Sequence, residues 1–208
     1  MVIKEISKKG NNRIVVLNEG EKLVIPYAVF VKNYMTVGDI ITEERRSIIQ
    51  NESEMYNIKE SCFRYISGRN HSRFELRTKL FKKNYNRDLI EKVLDGFVLD
   101  GFVDDEKFAA EFLKNKLNKK NGPIKIKAEL IKRGVSREAI ESAFNVEYEE
   151  SAAFEGGLQI AMKKYSNLVK RKIEVKKIKP KLYSYLSGKG YPPDISNKIL
   201  NEMDIENE

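Results

Sequence analysis

The chain has 208 residues, with 39 Lys/Arg against 31 Asp/Glu, a net charge of +8 and a pI near 9.3. That length allows one or two domains burying roughly 70% of the unfolded surface, and the 41% of apolar residues is a globular content. A single cysteine, Cys62, excludes an internal disulfide and points to a reducing compartment. No apolar run approaches the ~18 residues of a membrane span, and the first residues, MVIKEISKKG, lack the apolar core of a signal peptide, so a cytoplasmic protein with no membrane contact is expected.

The first quarter differs in kind from the rest. Residues 1–55 hold eight Lys/Arg and eight Asp/Glu, so the whole positive excess lies after them. Val2, Ile3 and Ile6 precede a Gly10-Asn11-Asn12 turn. The apolar, mostly β-branched run Ile14-Val15-Val16-Leu17 follows, then a turn at Asn18–Glu21, then Leu23-Val24-Ile25 stopped by Pro26. This is a meander of two or three short strands. Pro26 opens a short helix to about Tyr34, and Thr42 before Glu43 and Glu44 starts another. The expected first module is residues 1–52.

Beyond it the pattern is helical. Ser72 with Glu75 three residues on is a capping box, Leu76 and Leu80 share a face, and Asn84 ends the helix. Asn86 caps the next, whose stripe is Leu89, Ile90, Val93, Leu94 and Phe97. The same pattern returns about 50 residues later in Ile126, Leu130, Val135, Ala139, Ile140, Ala143 and Phe144. It returns about 56 residues after that in Leu182, Leu186, Tyr191, Ile195, Ser196, Ile199 and Leu200. Gly134 and Gly190 take the place of Asn84, where a left-handed backbone is favoured. Ser136 and Pro192 take the place of Asn86. Each unit also has a first helix, carrying Ile58, Cys62, Phe63 and Ile66; then Phe108, Phe112, Leu113 and Leu117; then Phe154, Leu158, Ala161, Met162 and Tyr165. The expectation is a mainly α protein: a small N-terminal β-meander/α module followed by three tandem three-helix repeats in a curved array, over 56–103, 104–150 and 151–208.

The joint between the first two repeats reads VLDGFVLDGFVDDEKFAAEF, 93–112. Asp100-Gly101 is the turn, Phe102 and Val103 are expected as buried hinge residues, and Asp104 or Asp105 caps the next helix. A calcium loop would need oxygen ligands where apolar residues fall, so no metal is expected here.

Three stretches in order, HSRFELRTKL (71–80), VLDGFVLDGFVDDEKFA (93–109) and GPIKIKAELIKRGV (122–135), resemble the RecX family of regulators of the RecA recombinase. The matching residues are Ser72, Glu75, Leu76, Lys79 and Leu80; Gly101, Phe102, Val103, Asp104, Asp105, Phe108 and Ala109; and Gly122, Pro123, Ile126, Glu129 and Leu130. The resemblance covers about 56–145 well and is weaker in 151–180. It implies a non-enzymatic monomer without cofactors that lies along the RecA nucleoprotein filament and limits its growth. Strand exchange and co-protease activity in DNA repair and the SOS response would be damped. Its DNA contacts, single- or double-stranded, would be weak or made within the filament.

Three basic clusters are the candidate filament- or DNA-binding face. Arg77, Lys82, Lys83 and Arg87 surround the second helix of repeat one; Lys125, Lys127, Lys132 and Arg133 do so in repeat two. For these, a solvated face and a binding face stand level. Lys170, Arg171, Lys172, Lys176, Lys177, Lys179 and Lys181 form the densest run, opposed only by Glu174, and there a binding face is favoured, because such charges repel unless something acidic approaches. Tyr165, Tyr183 and Tyr185 lie nearby and can either stack on bases or fill the core. His71, the only histidine, precedes a capping serine and reads as structural; Cys62 reads as a small buried hydrophobe. Neither a phosphate loop nor a catalytic set stands out. A direct nucleic-acid binder built of helix-turn-helix-like units is the alternative to a RecA regulator.

Overall fold

The computed structural model describes residues 1–18, 20–203 and 205. It is mainly helical, with one small sheet, and forms two compact units, Met1–Val103 and Asp104–Glu208.

In the first unit, β1 (Ile3–Lys9), β2 (Asn12–Leu17) and β3 (Lys22–Pro26) form an antiparallel sheet in chain order. The turns fall where Gly10 and Gly20 supply positive φ. One face of the sheet buries Ile3, Val15, Leu17, Leu23 and Ile25 against Val29 of α1 (Tyr27–Lys32) and Ile49 of the long helix that follows. Helix α2 (Glu43–Ile66) starts at Thr42, whose hydroxyl accepts the Arg45 N–H. It runs 24 residues without interruption, straight through 52–56, where the change of composition suggested a break. No Gly or Pro lies within it to stop it. Its first half serves the sheet core through Ile49, and its second half brings Ile58 and Cys62 to the core of the following helices.

That second core belongs to α3 (Arg73–Phe81) and α4 (Arg87–Leu99). Leu76, Leu80, Ile90, Val93, Leu94 and Phe97 are all buried, which is the expected stripe in the expected phase. The Ser72 hydroxyl accepts the Glu75 N–H, and the Asn86 side chain accepts those of Asp88 and Leu89. Asn84 takes φ 59°, as its place in the repeat predicts. Val103 is buried at the end of this unit, but Phe102 is not: it is 49% exposed. Its ring instead lies edge-on to Phe63, with centroids 5.2 Å apart, and tilted against Phe97 at 5.4 Å. Gly101, at φ 74°, turns the chain so that only Val103 points inward.

The second unit holds α5 (Asp105–Asn118), α6 (Pro123–Lys132), α7 (Arg137–Glu147), α8 (Glu150–Lys170), α9 (Val175–Lys189) and α10 (Pro193–Glu202). Asp104 caps α5 by accepting from Glu106 and Lys107, so the acids of the 93–112 stretch serve a helix start. These bonds to its charged form hold the Asp104 carboxyl below the usual carboxylate range. Phe108, Leu113, Ile126, Leu130, Val135, Ile140 and Phe144 form one core for α5–α7. Helices α8–α10 hold two smaller ones, around Ala161, Leu186, Tyr191, Ile195 and Ile199 and around Leu168, Ile178, Leu182 and Leu200. Met162, expected on the apolar stripe of α8, is 56% exposed.

A head-to-tail joint links these two blocks. Helix α6 has Gly122 as its N-cap and no side chain to satisfy its first amides. The Gly122 N–H donates to Lys189 O at 2.8 Å and the Ile124 N–H to Gly190 O at 3.0 Å, so the last carbonyls of α9 cap α6 while α6 satisfies α9. The approach is so close that a Cβ on Gly122 would fall on the Gly190 carbonyl, and one on Gly190 would fall on Lys125. Beside it the Tyr191 hydroxyl donates to Lys120 O at 3.3 Å. Its ring occupies the space where a side chain at Gly157 would stand.

Candidate basic interface

The three basic clusters have different surroundings. In the first unit Arg77 is a strut between helices: its guanidinium grips Glu91 of α4, Nε to Oε1 at 2.6 Å and a terminal nitrogen to Oε2 at 2.6 Å. Arg73 reaches Glu91 at 2.9 Å and Asp95 at 2.7 Å. The hydrogen bond from the Arg77 terminal nitrogen, with the charge of Arg77 and Arg73 beside it, holds the Glu91 carboxyl below the usual carboxylate range. The Lys83 ammonium donates to Ser61 Oγ at 3.0 Å and lies 5.4 Å from the Tyr65 ring centre. Arg87 lies 5.6 Å from the centre of Phe81. Lys82, at the end of α3, points into solvent.

Repeat two treats its cations similarly. Lys127 sits 4.6 Å from the ring centre of Phe144, and Arg133 sits 4.8 Å from that of Phe112, which Lys116 also approaches at 4.9 Å. Lys116 is in turn paired with Glu129. The backbone and Cβ of Lys125 form the seat for Gly190 at the α6–α9 joint. Lys132 is exposed at the end of α6. Each of these aromatic faces already carries a cation, an arrangement typically worth about 0.5–1 kcal/mol at exposed sites.

The third cluster lacks such partners. Lys170 ends α8, Arg171 is its C-cap, and Lys172 takes φ 53° in the turn. Lys177 pairs with Glu174 at 2.9 Å, and Lys176 lies 3.9 Å from the same carboxylate. Lys170, Arg171, Lys172, Lys179 and Lys181 have no ion pair among the described residues, and all but the half-buried Lys179 are exposed. Arg171 and Lys181 open into one groove between α8 and α9, lined also by Lys164, Leu168, Ile173, Pro180, Ser184 and Tyr185. Lys164 and Lys189, outside the run singled out in the sequence, lie 5.3 and 5.7 Å from the centre of the Tyr185 ring. Lys189 was legible in principle, since Lys181, Tyr185 and Lys189 are spaced i, i+4, i+8 on one helix face, whereas Lys164 comes from α8. Tyr183 and Tyr165 pack against the core instead.

His71 and Cys62 are structural, as read. His71 is 5% exposed, with Nδ1 2.9 Å from Arg69 O and Nε2 2.9 Å from the Lys79 ammonium. Cys62 is fully buried, and burial pushes its thiol up to about 11. Among the described residues no cluster of His, Cys, Asp and Glu could hold a metal ion, and no helix is long and apolar enough to cross a membrane.

Comparison with known proteins agrees with this architecture. Residues 59–95 match the family described as RecX, first three-helix domain, and residues 104–143 match RecX, second three-helix domain. The regulatory protein RecX of Clostridium botulinum (strain Alaska E43 / Type E3) is 31% identical over 199 residues, covering 95% of this chain and 93% of that protein. That of Clostridium acetobutylicum is 34% identical over 168 residues, covering 78% of this chain and 75% of the other. Among solved structures, a crystal structure of regulatory protein RecX superposes with a TM-score of 0.74 at 18% identity, covering 96% of this chain and 98% of that one. RecX from Lactobacillus salivarius gives 0.65 at 22% identity, covering 74% and 98%. These two show the shared fold. The chain belongs to the RecX family, a family of regulatory proteins rather than enzymes.

Proposed function

We propose that this protein, read as three repeats over 56–103, 104–150 and 151–208, binds the RecA nucleoprotein filament chiefly through the exposed cations of the third repeat, and limits filament growth. The observation that carries this is the contrast in charge partners. Arg77, Lys127 and Arg133 are held by an acid or an aromatic ring inside the protein, whereas Lys170, Arg171, Lys172 and Lys181 stand exposed without an internal acid among the described residues. Four exposed cations on one helix end and the facing helix repel one another, and an acidic polymer relieves that repulsion. RecA coated on DNA is such a polymer.

The test is the single-stranded-DNA-dependent ATP hydrolysis of the matching RecA with this protein titrated in. A fall at substoichiometric ratios is expected. Changing Lys170, Arg171, Lys172, Lys176 and Lys177 together to Glu should weaken filament binding while the helical circular-dichroism signal stays intact. Unchanged affinity in that variant would remove the basic run from the interface. No effect on ATP hydrolysis, with salt-sensitive binding to bare DNA, would favour the direct nucleic-acid reading.

A further inference from the structure

The basic run of 170–181 is not a uniform strip, because α8 and α9 fold two of its members into a groove with residues from outside it. Lys164, Leu168 and Arg171 are spaced i, i+4, i+7 along α8 and form one wall; Lys181, Ser184 and Tyr185 of α9 form the other. Leu168, Ile173 and Pro180 make the apolar part of the lining, and the cavity is about 590 Å³. None of the lining residues is acidic. Tyr185 is the one aromatic ring in the lining, with the Lys164 and Lys189 ammonium groups close to it.

We infer that this groove seats one nucleotide of a single-stranded nucleic acid, with the base against the Tyr185 ring and its phosphodiester among Lys164, Arg171 and Lys181. The inference rests on the reading above that this basic run meets the RecA–DNA filament, and it names the chemistry of a contact to the DNA strand. Bare phosphate recognition needs cations and hydrogen-bond donors but no ring, and an acidic peptide needs no flat face. A partly buried ring with cations close to it suits a ligand that carries a flat π-face and an anion a few ångströms apart. A nucleotide in a single strand has both. A duplex keeps its base faces stacked inside and can offer the groove only its phosphates. Selection for single strands therefore resides in Tyr185, while the lysines and Arg171 supply affinity that falls with salt.

The experiment uses the full chain with two fluorescent probes, a thymidylate 20-mer and a hairpin duplex, followed by anisotropy at one fixed salt concentration. Tyr185→Ala should weaken binding of the 20-mer by about five- to a hundred-fold, the usual range for loss of one stacked base. Tyr185→Phe should retain it, and the hairpin affinity should not change in either variant. Lys181→Glu, an exposed position, should weaken both probes and serves as the variant that keeps the fold. Equal affinities of Tyr185→Ala and the wild type for the 20-mer, or equal losses on the 20-mer and the hairpin, would overturn the inference. So would displacement of the 20-mer by thymidine monophosphate at equal nucleotide concentration, which would make the groove a site for free nucleotide. RecA ATP hydrolysis measured on the same variants separates the two ideas. If Tyr185→Ala has wild-type affinity while the five-fold charge reversal abolishes the effect on RecA, the groove inference fails and the filament reading stands. If the charge reversal leaves the effect on RecA intact, the filament-binding role of the basic run fails, whatever Tyr185 does to the 20-mer.

Discussion

The two blocks of the second unit, α5–α7 and α8–α10, share punctuation but differ in what they do with polar groups. Both place a left-handed glycine after the middle helix, Gly134 at φ 71° and Gly190 at φ 89°. Both bury the same positions of the stripe. In the first block Asp104 and Ser136 cap α5 and α7, only α6 takes its cap from α9, and Lys127 and Arg133 lie over aromatic rings. In the second block no side chain caps α8, α9 or α10, and the cations of the α8–α9 turn face outward. The backbone period makes the repeat, and the side chains that the period leaves free decide whether a repeat is scaffold or surface.

The strongest test of the shared period is core truncation. Leu80, Leu130 and Leu186 are each fully buried at the equivalent position. Leu→Ala at any of them should cost about 2–5 kcal/mol in urea unfolding. A loss below half a kcal/mol at one site, against losses in that range at the other two, would remove its block from the repeat. The joint comes next. Gly190→Ala must tolerate both a left-handed backbone and a Cβ driven into Lys125, whereas a Cβ on Gly101, at φ 74°, meets nothing within 4 Å. Gly190→Ala should therefore cost about 1–3 kcal/mol of overpacking beyond the backbone strain that Gly101→Ala also carries. Equal effects in thermal unfolding would mean that the α6–α9 contact gives way easily.

Local pattern explains why so much of this was readable and where reading stopped. Asn84, Gly134 and Gly190 could be aligned because each sits between an i, i+4 apolar pair and the N-cap position of the next helix, a short stretch of chain. A shift in composition near residue 52 hides the continuity of α2, although no Gly or Pro interrupts 43–66. The pairing of Gly122 with Gly190 joins residues far apart in the chain, and no periodicity within either helix announces it. The same holds for Arg77, which reads as a surface cation on α3 until Glu91 is brought opposite it by the packing of α4. Side-chain charge could be counted from the sequence, but whether a charge is answered could not, and the candidate interface depends on the second.

Caps give a smaller effect and sharpen the contrast between blocks. Ser136→Ala removes the acceptor for the Ala139 N–H and Asn86→Ala removes the acceptor for the Asp88 and Leu89 N–H groups, so each should cost about 1 kcal/mol. Pro192→Ala, at the equivalent place in the last block, removes no side-chain cap. It should stay well under that cost in the same urea titration, and a loss as large as that of Ser136→Ala would contradict the division between a capped and an uncapped block.

The smallest effect is a dependence on pH in the first unit, which the second unit should lack because His71 is the only histidine. With Nδ1 donating to Arg69 O, Nε2 presents a lone pair that accepts from the Lys79 ammonium at 2.9 Å. A second proton on the ring would create a buried cation facing Lys79 and near Arg69, with Glu75 as the opposing acid. Burial first, then these cations, therefore hold the imidazole below its ordinary value of 6.5. The unfolded chain binds the proton more readily than the folded one, so this contribution to stability is full above about 6.5 and is lost as pH falls through that value toward the depressed folded one. Carboxylates held low, such as Glu91 and Asp104, act in a separate, more acidic window that opens as pH falls into the ordinary carboxylate range and runs down toward their depressed values. The urea midpoint should fall between pH 7.5 and pH 5.5, and His71→Gln should flatten that slope whatever it does to the midpoint itself. A slope that persists unchanged in His71→Gln would show that the proton binds elsewhere and that the Lys79–His71 bond tolerates a charged ring.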